Sequence, residues 1–231
     1  MFSLIEDVYL HLTPTGAYRA VTGRGDDELD RLVRTLLSRA DTPRLTIAQV
    51  AELTGEADHQ RATGLIYRAQ EAALVEGLDR PARAPTEPFS ELIDRTLSGL
   101  SDQGQVVLAP DLGPPLASAG FPTDGAARLA AMSRELDELT SRYDRLFDEV
   151  GQRGGASMAL VDRLGVCNLG WWPLRFADRR FHLVVGGLPR FGQPEFAELM
   201  WALARGLDRG ATDGRPLQRG TGPRRQLPSV G

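Results

Sequence analysis

The chain of 231 residues contains no lysine, because all 27 of its basic residues are arginine. This absence excludes a phosphate-binding loop of the Walker A type, a Schiff base to pyridoxal phosphate and a Ser-x-x-Lys catalytic pair, since each of these needs a lysine amine. We therefore expect the chain to meet a nucleotide only by contacting another protein that binds it.

Cysteine is almost as scarce, since Cys167 is the single one. One thiol forms no intramolecular disulfide and builds no Cys-rich metal site, which is compatible with a reducing compartment. The first ten residues carry Glu6 and Asp7 and no basic residue, unlike a signal peptide. No apolar run approaches the roughly 20 residues of a transmembrane helix. We expect a cytoplasmic protein without a membrane span.

Catalytic and metal-binding motifs are also missing. The three histidines, His11, His59 and His182, lie far apart, with no carboxylate at ligand spacing. No Gly-x-Ser-x-Gly motif is present, and no glycine-rich phosphate loop follows a predicted strand. The sequence thus predicts no catalytic residue, no cofactor and no metal, and hence no enzyme. A net charge of −4 gives no general attraction to nucleic acid.

Two breaks divide the chain. Residues 80–88 contain three prolines, which favour an extended linker. From Asp208 onward the sequence is rich in Gly, Pro and Arg and nearly free of apolar residues, which predicts a disordered, positively charged tail. The expected organisation is an N-terminal domain, a linker, a second domain and a tail, with the bounds 1–80, 81–88, 89–207 and 208–231.

The first domain begins with a predicted β-hairpin. Val8, Leu10 and Leu12 alternate, residues 13–16 resemble a turn, and residues 17–21 would form the returning strand. Capping residues and apolar periodicity then predict three helices and a short strand. Their expected bounds are 26–39, 47–53, 58–74 and 75–78.

The second and third of these helices, joined around Thr54-Gly55, resemble the helix-turn-helix of winged-helix domains. The resemblance covers about residues 26–80, and in the DNA-binding members the second helix of the motif enters the major groove. Residues 1–80 hold thirteen acidic residues against nine arginines, a poor balance for neutralising phosphates. We favour a packing or protein-docking module and keep a DNA-binding transcription regulator as the alternative function.

The second domain has a mixed pattern, so the chain is assigned to the α+β class. Helical and strand patterns alternate in the order helix, two strands, long helix, three strands, helix. The Trp171-Trp172-Pro173 run lies in the fourth strand, where proline fits a sheet edge or a bulge. Adjacent strand residues face opposite ways, so we expect one tryptophan in the core and the other exposed or in an interface.

The long helix, predicted over 124–150, carries apolar residues at alternating steps of three and four. This is the a/d spacing of a heptad repeat, which indicates a seam that packs along another helix or a sheet. The seam is either a dimer contact or the sheet-facing side of the helix. Its members are Leu129, Met132, Leu136, Leu139, Tyr143, Leu146 and Val150.

This element order, with Val106-Val107-Leu108-Ala109 turning into a small-residue strand before the long helix, resembles the Roadblock family of dynein light chains and bacterial polarity regulators. The resemblance implies an α-β-β-α-β-β-β-α domain with a five-stranded sheet. It also implies a non-enzymatic homodimer that pairs through the long helix and residues 157–161, including Met158 and Leu160. Many members are platforms for small Ras-like GTPases.

The resemblance therefore implies an adaptor or regulator of a small Ras-like GTPase or of another signalling or motility complex, without identifying the partner. A further partner surface would include charged residues beside the seam, which otherwise form an ordinary solvated face. The candidates for this surface are Trp171, Trp172, Arg134, Glu138, Arg142 and Arg145.

Overall fold

The structure is a computed structural model that describes residues 8–23, 25–151, 157–177 and 179–213. Within these ranges the chain forms eight α-helices, a 3₁₀ turn and seven strands, which confirms the α+β class. No helix among the described residues combines the length and the apolar character that crossing a membrane requires.

The N-terminal part combines four helices with a two-stranded antiparallel sheet. The two strands are far apart in sequence: Leu12 on the first lies opposite Val75 on the second. The helices predicted around 26–39, 47–53 and 58–74 and the strand at 75–78 are present, with ends shifted by a few residues. The elements are β1 (Tyr9–Leu12), α1 (Pro14–Thr22), α2 (Glu28–Ser38), α3 (Ile47–Thr54), α4 (His59–Glu71) and β2 (Val75–Leu78).

The predicted hairpin over residues 8–21 is wrong, because residues 14–22 form the helix α1. The Thr13 hydroxyl accepts a hydrogen bond from the Gly16 N–H at 3.0 Å and so caps the helix. Pro14 occupies the first turn, where its missing N–H is tolerated. Threonine followed by proline therefore starts a helix here, and β1 finds its antiparallel partner in β2.

The C-terminal part is built on a five-stranded antiparallel sheet with the strand order β4-β3-β7-β6-β5. The prediction of five strands is confirmed, and their succession along the chain is as expected. The elements are α5 (Phe89–Thr96), the 3₁₀ turn (Ser98–Leu100), β3 (Gln105–Pro110), β4 (Ala117–Ala119), α6 (Thr123–Arg142), α7 (Asp144–Glu149), β5 (Met158–Val161), β6 (Cys167–Phe176), β7 (Arg179–Gly186) and α8 (Pro194–Asp213).

The two faces of this sheet are covered differently. The helix α6 packs on one face against β3 and β7, while α1 contacts β6 and α8 contacts α1, α2 and α5. The larger apolar core joins side chains of α1–α4, the sheet and α8 into one continuous cluster. The N-terminal helices therefore share their core with the sheet.

The predicted linker is extended, and it is bound to the N-terminal part. The Thr42 N–H donates to the Ala82 carbonyl and the Ala84 N–H to the Ala40 carbonyl, both at 2.9 Å, and Ala84 is buried. The domain boundary at this segment remains a prediction.

The last helix extends into the predicted tail. The helix α8 ends at Asp213, whereas the tail was expected from Asp208 onward. The remainder of the predicted tail, residues 214–231, lies outside the described residues.

Candidate functional site

The face of α6 that packs on the sheet carries small and polar residues instead of the heptad seam. Ala126 and Ala130 are buried against Val107 on β3 and Val184 on β7. Short side chains let the helix approach the strands closely. The sheet-facing interpretation of the seam is therefore wrong for most of its residues. The buried residues of the helix are Ala126, Ala130, Ser133, Asp137 and Thr140.

Most of the seam is exposed on the outer side of the helices. Leu129 and Leu136 are half-buried and pack at the margin of the cluster under α6. The other five seam residues expose between 39% and 61% of their surface, and they are Met132, Leu139, Tyr143, Leu146 and Val150. A run of large apolar side chains in water typically marks an interaction surface.

The expected single helix over residues 124–150 is interrupted at Tyr143, which separates α6 from α7. The Thr140 hydroxyl donates to the Asp137 carbonyl at 3.0 Å. The Tyr143 N–H bonds the Thr140 carbonyl, three residues back, at 3.1 Å. Such local hydrogen bonds compete with the regular helical pattern and tighten its last turn. The seam consequently runs over two helical segments.

The strand β5 lies at the edge of the sheet, beside this apolar surface. Its Leu160 is opposite Leu169 on β6, and Leu169 and Leu136 pack against the same cluster under α6. Leu160 therefore lies on the face of the sheet that α6 covers, yet it remains 54% exposed. Met158, opposite Trp171, is partly buried. The outer edge of β5 pairs with no strand among the described residues.

The charged residues beside the seam are solvent-exposed and paired along the helices. Arg134 contacts Glu138 at 3.0 Å and Arg145 contacts Glu149 at 3.3 Å, both with i,i+4 spacing. Such exposed pairs contribute little to stability. Together with the exposed Arg142, they would form the polar rim of any interface built on the seam.

The expectation that one of the adjacent tryptophans is exposed is wrong. Trp171 and Trp172 face opposite sides of β6 as predicted, but their exposures are only 4% and 9%. Trp171 lies under α6, and Trp172 packs edge-on against Phe191 with ring centroids 4.9 Å apart. Both faces of β6 are covered at these two residues, so neither indole is accessible to a partner of the folded chain. Pro173 lies two residues beyond Trp171, the last β6 residue that pairs with β5, so within the described part of the chain the strand has a free edge at the proline, in agreement with the predicted edge position.

Sequence reasoning missed a buried polar cluster under the C-terminal half of α6. His182 on β7, Asp137 on α6 and Asp111 after β3 bring one potential ligand atom each to within 4.8 Å of one another. Two arginines contact Asp137: the Arg180 guanidinium lies 3.2 Å from its carboxylate, and the Arg175 guanidinium lies 3.8 Å from it. Burial lowers the pKa of His182 and favours its neutral form, because the pull of the two nearby carboxylates is weaker. The sequence offered one sign of this cluster: Asp137 is the one charged residue among the small side chains on the buried face of α6.

The second helix of the predicted helix-turn-helix, α4, presents two arginines that are occupied within the chain. Arg68 contacts Glu28 at 2.6 Å, and Arg61 contacts Glu56 at 3.3 Å. The side-chain hydrogen bond from Arg68 lowers the pKa of Glu28. A DNA backbone would compete with these carboxylates for both arginines, which disfavours the DNA-binding alternative.

Comparison of the chain with protein-family models, with curated proteins and with solved structures gave no match. No relative's activity is therefore transferred to it. The features of the chain that bear on its function are the apolar surface of α6, α7 and β5, the buried polar cluster, and the resemblances in element order and short sequence stretches.

Proposed function

We propose that this chain is a non-enzymatic adaptor that forms a homodimer through the outer side of α6 and α7 and the edge strand β5. The observation that carries the proposal is the exposed heptad seam beside an apolar, unpaired strand. Coiled-coil spacing is typical of a surface that accepts another helix. The Roadblock resemblance independently assigns dimerisation to the same two segments.

The dimensions of the sheet favour a second copy as the occupant of this surface. Strands are spaced about 4.8 Å apart, so five strands span roughly 24 Å, whereas one helix covers about 10 Å. The helix α6 contacts β3 and β7 and leaves the β5 side of this face open, since Leu160 on β5 is 54% exposed. A two-fold mate would place its own α6 over that open side and pair its β5 with β5, so both exposed features are buried in one contact.

The homodimer would serve as a cytoplasmic platform for a small Ras-like GTPase or for another signalling or motility complex. The lack of lysine supports a platform role in which the partner binds the nucleotide, because the chain has no Walker A lysine to hold a nucleotide itself. The charged residues beside the seam, including Arg134, Arg142 and Arg145, would border the surface that a further partner meets.

The oligomeric state tests the proposal directly. Light scattering after size exclusion at tens of micromolar is expected to give twice the chain mass of 25.2 kDa. Leu139→Asp and Leu160→Asp each place a charge in the contact twice, once per copy, and we expect each to weaken the dimer at least tenfold. Ile47→Asp is the matched control, since Ile47 is 50% exposed on α3, outside this surface.

A strictly monomeric wild type at that concentration would overturn the proposal. A dimer that both seam variants leave intact would place the contact elsewhere and refute this interface. For the platform role, a GTPase should co-purify from the native cell with the wild type and less with Leu139→Asp. Retention of the same proteins by the two forms would separate partner binding from dimerisation.

A further inference from the structure

The cluster under α6 is assembled from three distant parts of the chain by the register of the sheet. His182 lies opposite Ala109 on β3 and Pro173 on β6, on the side of β7 that α6 covers. The Asp111 N–H donates to the Arg180 carbonyl at 3.1 Å, which holds the turn after β3 against β7. Asp137 reaches the same place from the buried stripe of α6.

Several buried polar atoms in this cluster have no hydrogen-bond partner. His182 is 2% exposed, and neither of its ring nitrogens is paired. The Oδ1 atom of Asp137, a residue that is 5% exposed, also has no hydrogen-bond partner. A buried polar group without a hydrogen-bond partner destabilises the fold, so an imidazole and a carboxylate that both lack one at the same place indicate a missing ligand.

We propose that His182, Asp137 and Asp111 bind one divalent transition-metal ion of the zinc class. An imidazole nitrogen and two carboxylate oxygens form a donor set that suits Zn²⁺ and leaves one tetrahedral position open. Ligands about 2.1 Å from one tetrahedral ion lie about 3.4 Å apart, so the separations of up to 4.8 Å must shorten by up to about 1.4 Å when the ion binds.

The surrounding groups are arranged as an outer shell for such a site. Arg180 donates to the Oδ2 atom of Asp137 at 3.2 Å, which orients the carboxylate and leaves Oδ1 for the ion. Arg175 has its Nη2 atom 3.8 Å from Oδ1 and is the competitor that a metal displaces. Its side chain is partly exposed, so the guanidinium has a route to solvent.

Zinc titration of the full-length, metal-stripped chain by calorimetry tests the site. We expect one Zn²⁺ per chain, and at least tenfold weaker binding by Asp111→Asn and by His182→Gln. Asp94→Asn on α5 and His59→Gln on α4 are matched controls, because both residues are exposed and remote from the cluster. Arg175→Gln should bind Zn²⁺ several-fold more tightly, since it removes a positive charge that competes for Oδ1.

Circular dichroism of each variant establishes that it is folded. Asp111 lies in a partly exposed turn, so Asp111→Asn tests the site even where His182→Gln does not fold. The proposal is overturned when the wild type binds no stoichiometric Zn²⁺, or when folded Asp111→Asn binds it as tightly as the wild type. An ion-pair network without a metal role would give that result, and Arg175→Gln would then not tighten binding.

Discussion

The helix α8 joins the two parts of the chain through Trp201, and replacing this residue tests whether they unfold together. The Trp201 Nε1–H donates to the Arg39 carbonyl at 2.7 Å, and Arg205 donates to the Ser38 carbonyl at 2.9 Å. Both carbonyls lie at the end of α2, where helix carbonyls lack partners within the helix. The indole also meets the ring of His11 edge-on at 5.7 Å.

Trp201→Phe should lower the free energy of unfolding by about 2–4 kcal/mol. The unpaired Arg39 carbonyl accounts for about 1–2 kcal/mol, and the smaller ring, at a site that is 9% exposed, adds a similar amount. With a urea slope of about 2–3 kcal/mol per molar for a chain of this size, the midpoint should fall by about 1 M.

Two optical probes distinguish joint from separate unfolding. Fluorescence follows three tryptophans that belong to the C-terminal part or, for Trp201, to its junction with the N-terminal part, whereas far-UV circular dichroism also reports on α1–α4 as a whole. We expect both midpoints to fall together. Trp171→Phe is the control, because its cluster contains only residues of the C-terminal part, and it should also move both midpoints.

Separate transitions by the two probes in the wild type would refute the shared core. So would a Trp171→Phe variant whose fluorescence midpoint falls while the dichroism of the N-terminal helices keeps its own, unchanged transition. A Trp201→Phe variant with an unchanged midpoint would show that its hydrogen bond and packing do not stabilise the junction.

Two further predictions concern the N-terminal part. Gly16→Ala should destabilise the chain by about 1–3 kcal/mol in urea unfolding, because the new methyl would overlap the Leu74 carbonyl oxygen. Gly64→Ala, in the interior of α4 with open space around it, should instead stabilise by about 0.5–1 kcal/mol, and equal effects of the two would contradict the packing argument. Partial burial raises the pKa of Asp27, but the amides of the first turn of α2 and the charge of Arg19 outweigh it and lower that pKa below 3.8. The stability advantage of the wild type over Asp27→Asn should therefore be present above about pH 4 and disappear as the pH falls through the folded-state pKa, and a pH-independent difference between their urea midpoints would contradict this assignment.

Local signals in the sequence predicted most helices and strands, but the contacts between these elements depend on residues that are far apart in the chain. The cap at Thr46 and the left-handed Gly55 mark α3 from sequence alone. Thr13-Pro14 fits both a turn and a helix start, and the pairing of β1 with the remote β2 decided between them. Local patterns carry no information about such long-range pairing.

The candidate surfaces were predictable to different degrees for the same reason. Residues at heptad spacing lie on two faces of α6. The face with the larger side chains suggested a contact with the sheet, but the face with the small side chains makes that contact. The close approach of small residues at Ala126 and Ala130 settled it. The cluster of Asp111, Asp137 and His182 left only Asp137 as a local sign in the sequence, because the register of β3 and β7 and the packing of α6 bring these residues together.

The buried stripe and the exposed seam occupy different faces of α6. Selection for the fold and selection for binding therefore act on different residues of the same helix. Substitutions at Ala126 or Ala130 change the spacing between helix and sheet and are opposed by the fold itself. Substitutions at Met132 or Leu139 leave that spacing unchanged and alter only what the outer surface recognises. Over evolutionary time such a helix is free to exchange binding partners one position at a time while its scaffold stays constant.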